Sequence, residues 1–174
     1  MNLISLLFLL PALAQSAPAP AQKGPSLVHL GGGAVSFLAV GKPSMLKIHG
    51  KAPGPEAKLG LEGGKLTGTA EFPLDQLDTG IKLRNEHMKD KYLQVKDFPR
   101  AKLTLTDVPV DDGFATSLSN SGEKPFKAKL QLHGQERDVE GKYTAQSGLL
   151  KARFQIKLSD YQIEIPSYLG VKVA

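Results

Sequence analysis

The chain has 174 residues, with no cysteine or tryptophan, 41% hydrophobic and 22% charged. That composition suits one domain with its own core and excludes a disulfide scaffold, a wholly disordered chain and a multi-spanning membrane protein. The net charge of +5 comes from 22 Lys and Arg against 17 Asp and Glu spread along the sequence, a solubility charge and not the clustered basic stripe of a nucleic-acid binder.

In chain order, the first feature is the apolar run Leu3 to Leu10, ended by Pro11 and followed by Ala12-Leu13-Ala14, the small-x-small pattern cut by signal peptidase. Residues 1–14 are therefore expected to be a signal peptide, too short to span a bilayer, which gives the protein a periplasmic or secreted address. Residues 15–25, rich in Ala, Pro, Gln and Ser, are expected to form a flexible leader, with a single domain over 26–174. From Ser26 onward short apolar runs alternate with turn residues, as in an antiparallel barrel or sandwich, and 18 glycines with 12 prolines supply the turns. Ser26 to Leu30 and Val35 to Val40 are joined by Gly31-Gly32-Gly33, read as a hairpin bend. Lys58 to Leu61 and Lys65 to Phe72 flank a second hairpin at Glu62-Gly63-Gly64. Ile81 to Leu93 is the exception, one helix of about three turns after the capping residues Asp78-Thr79-Gly80, with Leu83, His87, Met88 and Tyr92 on one face. Asp97-Phe98-Pro99 ends it and starts the strand Ala101 to Val108. The cleanest alternation comes late: Ala128, Leu130 and Leu132 form one dry face, Leu150, Ala152, Phe154, Ile156 and Leu158 another, with a hairpin through His133-Gly134-Gln135-Glu136 between.

Catalytic options are thin. Without cysteine there is no thiol chemistry, and His29, His49, His87 and His133 pair with no His, Asp or Glu at a metal-binding spacing. No nucleotide or nucleophile-elbow fingerprint is present, so the residues point to no cofactor, no metal and no enzyme. What remains is the interior of a closed sheet, which about eight strands make just wide enough to be filled by side chains or to hold one slender apolar ligand. Its expected lining is Phe37, Ile48, Leu105, Leu130, Phe154 and Ile156, with Leu83 and Met88 of the helix closing it and Arg84 near the mouth. Dry faces alone do not separate a filled interior from a hollow one.

The stretch Leu77 to Lys89 resembles the YceI family of exported bacterial proteins, with Arg84, Asn85, His87 and Met88 matching its R-[DN]-x-H-[LM] run. Phe98-Pro99-Arg100-Ala101-Lys102-Leu103 is similar to the family's Y/F-P-x-A-x-F element. Lys129 to Gly134 is similar to its L-T-L-N-G hairpin, and Phe154 to Tyr161 to its late strand. The resemblance implies an all-β fold, an extended lipocalin-like antiparallel β-barrel with one short helix near an open end. It also implies non-covalent binding of a long isoprenoid lipid or quinone, with Arg84 and His87 as head-group candidates. The family pattern usually runs on past Ala174 into one more strand, so either the sequence is truncated or a final strand is lacking and the unpaired edge invites association, a homodimer included. The competing readings are a filled barrel serving as a protein-interaction or inhibitor module and, more weakly, an enzyme acting on a lipid head group near Arg84 and His87.

Overall fold

A computed structural model describes residues 4–11, 26–42, 47–164, 167–168 and 171–173. Residues 15–25, expected to be a leader, lie outside them. The strands are β1 (Ile4–Pro11), β2 (Ser26–Leu30), β3 (Ala34–Lys42), β4 (Lys47–Pro53), β5 (Glu56–Glu62), β6 (Lys65–Pro73), β7 (Arg100–Pro109), β8 (Lys124–Leu132), β9 (Gln135–Gln146), β10 (Leu149–Ile156), β11 (Ser167–Tyr168) and β12 (Val171–Val173). Two short α-helical segments join them, α1 (Lys82–Glu86) and α2 (Phe114–Ser117).

Period-two alternation drives the sheet. In β8, Phe126, Ala128, Leu130 and Leu132 are buried while the lysines between them face water. β10 repeats this with Leu150, Phe154 and Ile156. The strands make one curled antiparallel sheet, a half-barrel, in the order β11-β12-β3-β1-β10-β9-β8-β7-β6-β5-β2, with β4 also on β3. Three two-residue turns with both φ positive set the register of its hairpins: Gly63-Gly64, His133-Gly134 and Ser147-Gly148.

Two sequence expectations, the bend at Gly31 to Gly33 and the single straight helix, are changed. Gly31 to Gly33 is not a hairpin bend, because β2 pairs with β5 while β3 pairs with β1 and β4. The glycines instead carry the chain between distant strands, crossing so close to Gly54 that a side chain there would strike the Gly32 carbonyl. The apolar run at the start forms β1, hydrogen-bonded to β3 on one side and β10 on the other. A short apolar segment can satisfy its backbone in this way as long as the chain is uncleaved. The helix, finally, is not one straight α-helix: α1 passes into a π-helical turn over His87–Tyr92. The wider turn rotates the apolar face, so Leu93 is buried and Met88, Tyr92 and Val95 pack on the core, whereas Leu83 and His87 face water.

Candidate apolar site

Inside the curl lies a cavity of about 70 Å³. β5 and β6 supply Ala57, Leu59, Leu66, Ala70 and Phe72, and β7 supplies Leu103, Leu105 and Val108. The facing wall is Phe126, Tyr143, Leu150 and Ala152, with Pro55 and Lys151 completing it. The wall is apolar because the one buried hydroxyl in it is turned away and satisfied. Tyr143 Oη donates to the Pro109 carbonyl and accepts from Asn120 Nδ2 at 2.9 Å. Burial holds the Tyr143 phenol in its neutral form by raising its pKa.

One seam runs through this wall. The β7–β8 ladder stops at Leu105↔Ala128, yet the cavity continues past it to Val108 and Phe126. Beyond the last pair the connecting segment 110–123 packs on the core as a cover, through Phe114 of α2, which is only 1% exposed, and through Asn120 at the Tyr143 hydroxyl. Asp111 pins this cover. It forms an ion pair with Lys124 and accepts from the Ser121 backbone N–H and hydroxyl, and its own N–H donates to Asn120 Oδ1 at 2.7 Å. These contacts, Lys124 foremost, hold the Asp111 carboxyl down to about 2.

Of the residues expected to line the interior, Leu105 borders the cavity. Leu130, Phe154 and Ile156 are buried in the core, and Phe37, Ile48 and Met88 pack on it half-buried, all outside the cavity wall. Leu83 is corrected: it is 60% exposed, because the π turn gives the inward face to Met88 and its successors. His87 is exposed. Arg84 is committed locally, its Nε donating to Thr79 Oγ1 at 2.9 Å and its Nη2 to the Thr79 carbonyl at 2.6 Å. Asn85 completes this knot, accepting from the Thr79 N–H and hydroxyl and donating to Asp78 Oδ1 at 2.7 Å. Asp78 also exchanges backbone hydrogen bonds with Lys51 of β4. The Asn85 hydrogen bond, then the Gly80 N–H, lower the Asp78 pKa. The Arg-Asn pair singled out by sequence is thus a clasp that fixes the helix to the sheet.

Sequence reasoning missed the small wall residues Ala57, Ala70 and Ala152, which create the space by what they lack. Lys151, exposed on β10, borders the cavity as well. A period-two pattern marks a dry face but does not measure the distance to the opposite one. Among the described residues no group of three or more His, Cys, Asp or Glu could hold a metal, and no helix is long and apolar enough to cross a membrane.

No curated protein matches the chain. Among solved structures, a polyisoprenoid-binding domain from Saccharophagus degradans, implicated in plant cell wall breakdown, superposes with a TM-score of 0.55 at 15% identity, covering 93% of this chain and 80% of that one. At that identity the likeness speaks for the fold. The model of the YceI-like domain matches residues 35–174. With the curled sheet, the clasped helix and this match in hand, the chain belongs to the YceI-like domain family.

Proposed function

We propose that this protein is an exported carrier that holds a long apolar chain, a polyisoprenoid or quinone-like lipid, non-covalently inside the curled sheet. The observation that carries the reading is the apolar cavity with its single buried hydroxyl turned away: such a wall offers dispersion and hydrophobic contact and nothing to react. The family membership and the polyisoprenoid-binding neighbour support it. The apolar N-terminal run followed by Ala12-Leu13-Ala14 supports export.

The cavity is small against the roughly 300–1,000 Å³ of ordinary ligand pockets. A chain therefore needs the wall to widen, and the β7–β8 ladder, which ends at Leu105↔Ala128 partway along that wall, is the place proposed for it. Each methylene buried then contributes about 0.8 kcal/mol. The same narrowness favours the second reading, a filled barrel whose business is with a protein partner. Native mass spectrometry of the protein purified gently from its host, with organic extraction, decides between them. A co-purifying isoprenoid near one per chain supports the carrier; a bare protein that stays bare after incubation with polyprenyl and quinone lipids, and returns one stoichiometric protein in a pull-down, supports the filled barrel.

A further inference from the structure

Large hydrophobic side chains are exposed at two places among the described residues: Ile81, at 52%, and Leu83, at 60%, both where the β6–β7 connection enters α1. A slack loop would explain this cheaply, but this loop is tied at both ends. The Asp78–Thr79–Arg84–Asn85 clasp holds its start to β4, and Gln94 Oε1 meets His133 Nε2 at 3.0 Å beyond the π turn, where Phe98 also packs on the His133 ring. The side chains are therefore presented on a rigid support.

The connection from Asp78 to Tyr92 carries four basic residues, Lys82, Arg84, Lys89 and Lys91, against three acidic ones, Asp78, Glu86 and Asp90. Exposed Lys82 stands between Ile81 and Leu83, and Lys89 and Lys91 follow on the π turn. Among the described residues no salt bridge engages Lys82, Lys89 or Lys91. Two exposed apolar side chains with Lys82 between them, followed along the same connection by Lys89 and by Lys91 over the Tyr92 ring, match the two layers of a membrane surface, acyl chains below anionic head groups.

We propose that this loop docks the protein on an anionic lipid bilayer, with Ile81 and Leu83 entering the acyl boundary and Lys82, Lys89 and Lys91 meeting the phosphates. The inference rests on the carrier reading to the extent that a membrane-resident chain has to be collected from a membrane. It is tested separately, by co-sedimentation of the full chain with vesicles of phosphatidylcholine carrying about one-third phosphatidylglycerol. The full chain is expected to bind these vesicles, less tightly as salt rises, and the I81S/L83S double variant to partition about tenfold less or lower. Both proteins carry the same N-terminal apolar run, so the difference reports on the loop. Equal partitioning of the two proteins overturns the docking, as does binding to pure phosphatidylcholine that equals the anionic vesicles at every salt concentration. Capture of polyprenol from a vesicle-free dispersion is measured alongside, and Ile81→Ser is expected to leave it unchanged. A parent protein that captures polyprenol yet ignores vesicles overturns the docking alone; one that docks yet captures none overturns the carrier reading alone.

Discussion

Tyr161 is 1% exposed, and its hydroxyl has no hydrogen-bond partner among the described residues. An unsatisfied buried donor costs stability, so Tyr161→Phe, which keeps the ring and removes the orphan, is expected to stabilise the fold by about 1 kcal/mol in urea melts at neutral pH. The sign of the pH dependence follows from the same burial, which pushes the phenol up to about 12 from its ordinary 10.0. Below 10.0 neither folded nor unfolded tyrosine ionises; between 10.0 and about 12 the unfolded one does and the folded one does not, so stability drains away as pH rises through that window. The advantage of Tyr161→Phe should therefore grow above pH 10 or so, and a constant advantage across the alkaline range would contradict it. None of this was legible in the sequence, where Tyr161 reads as the last residue of a strand-like stretch. The residue scale is also where the reading of Arg84 changed, since a charge on a helix looks solvent-bound until the Thr79 carbonyl beside it is seen.

At the scale of elements, alternation and turn chemistry were legible and packing distances were not. Gly63-Gly64 and His133-Gly134 announced their hairpins because two consecutive residues with positive φ favour such sequences. The π turn at His87–Tyr92 was hidden, because a 3.6-residue period extended from Leu83 assigns the wrong inward face once the turn widens. Gly141 shows a similar limit. It sits on β9 between Phe126 and Phe154, whose rings lie edge-on with centroids 6.2 Å apart, and a Cβ there would come within 2.7 Å of the Phe126 ring and strike the Arg153 carbonyl. Gly141→Ala should thus cost about 1–3 kcal/mol in denaturant melts, although alanine is ordinarily harmless in a strand. The cover over the seam makes a prediction of its own. Asp111 is held at about 2 when folded against an ordinary 3.8, so it supports the fold above 3.8 and loses that support as pH falls from there toward 2. Thermal midpoints of the parent should exceed those of Asp111→Asn at neutral pH, with the gap closing across that acid window; a gap independent of pH would show that the carboxylate charge is not what holds the cover.

Across the whole molecule, the sequence carried the class of fold, a mostly antiparallel β domain with one helical segment, because each strand displays its dry face in one dimension. Closure, strand order and cavity width depend on pairings far apart in sequence. Thus the partnership of β3 with β12, the crossover at Gly31 to Gly33 and the space left by Ala57, Ala70 and Ala152 emerged only in three dimensions. That space is the centre of the functional account, and Ala152, half-buried on the cavity wall, offers a direct probe of it. Ala152→Phe places an aromatic ring where the chain is proposed to lie. The deciding measurement is the number of polyprenol molecules retained per protein by native mass spectrometry, for the parent and for an Ala152→Phe variant whose circular dichroism matches it. The account predicts close to one for the parent and a loss of at least about tenfold in occupancy at limiting lipid for the variant. Equal retention by both proteins, or none by the parent, would contradict it.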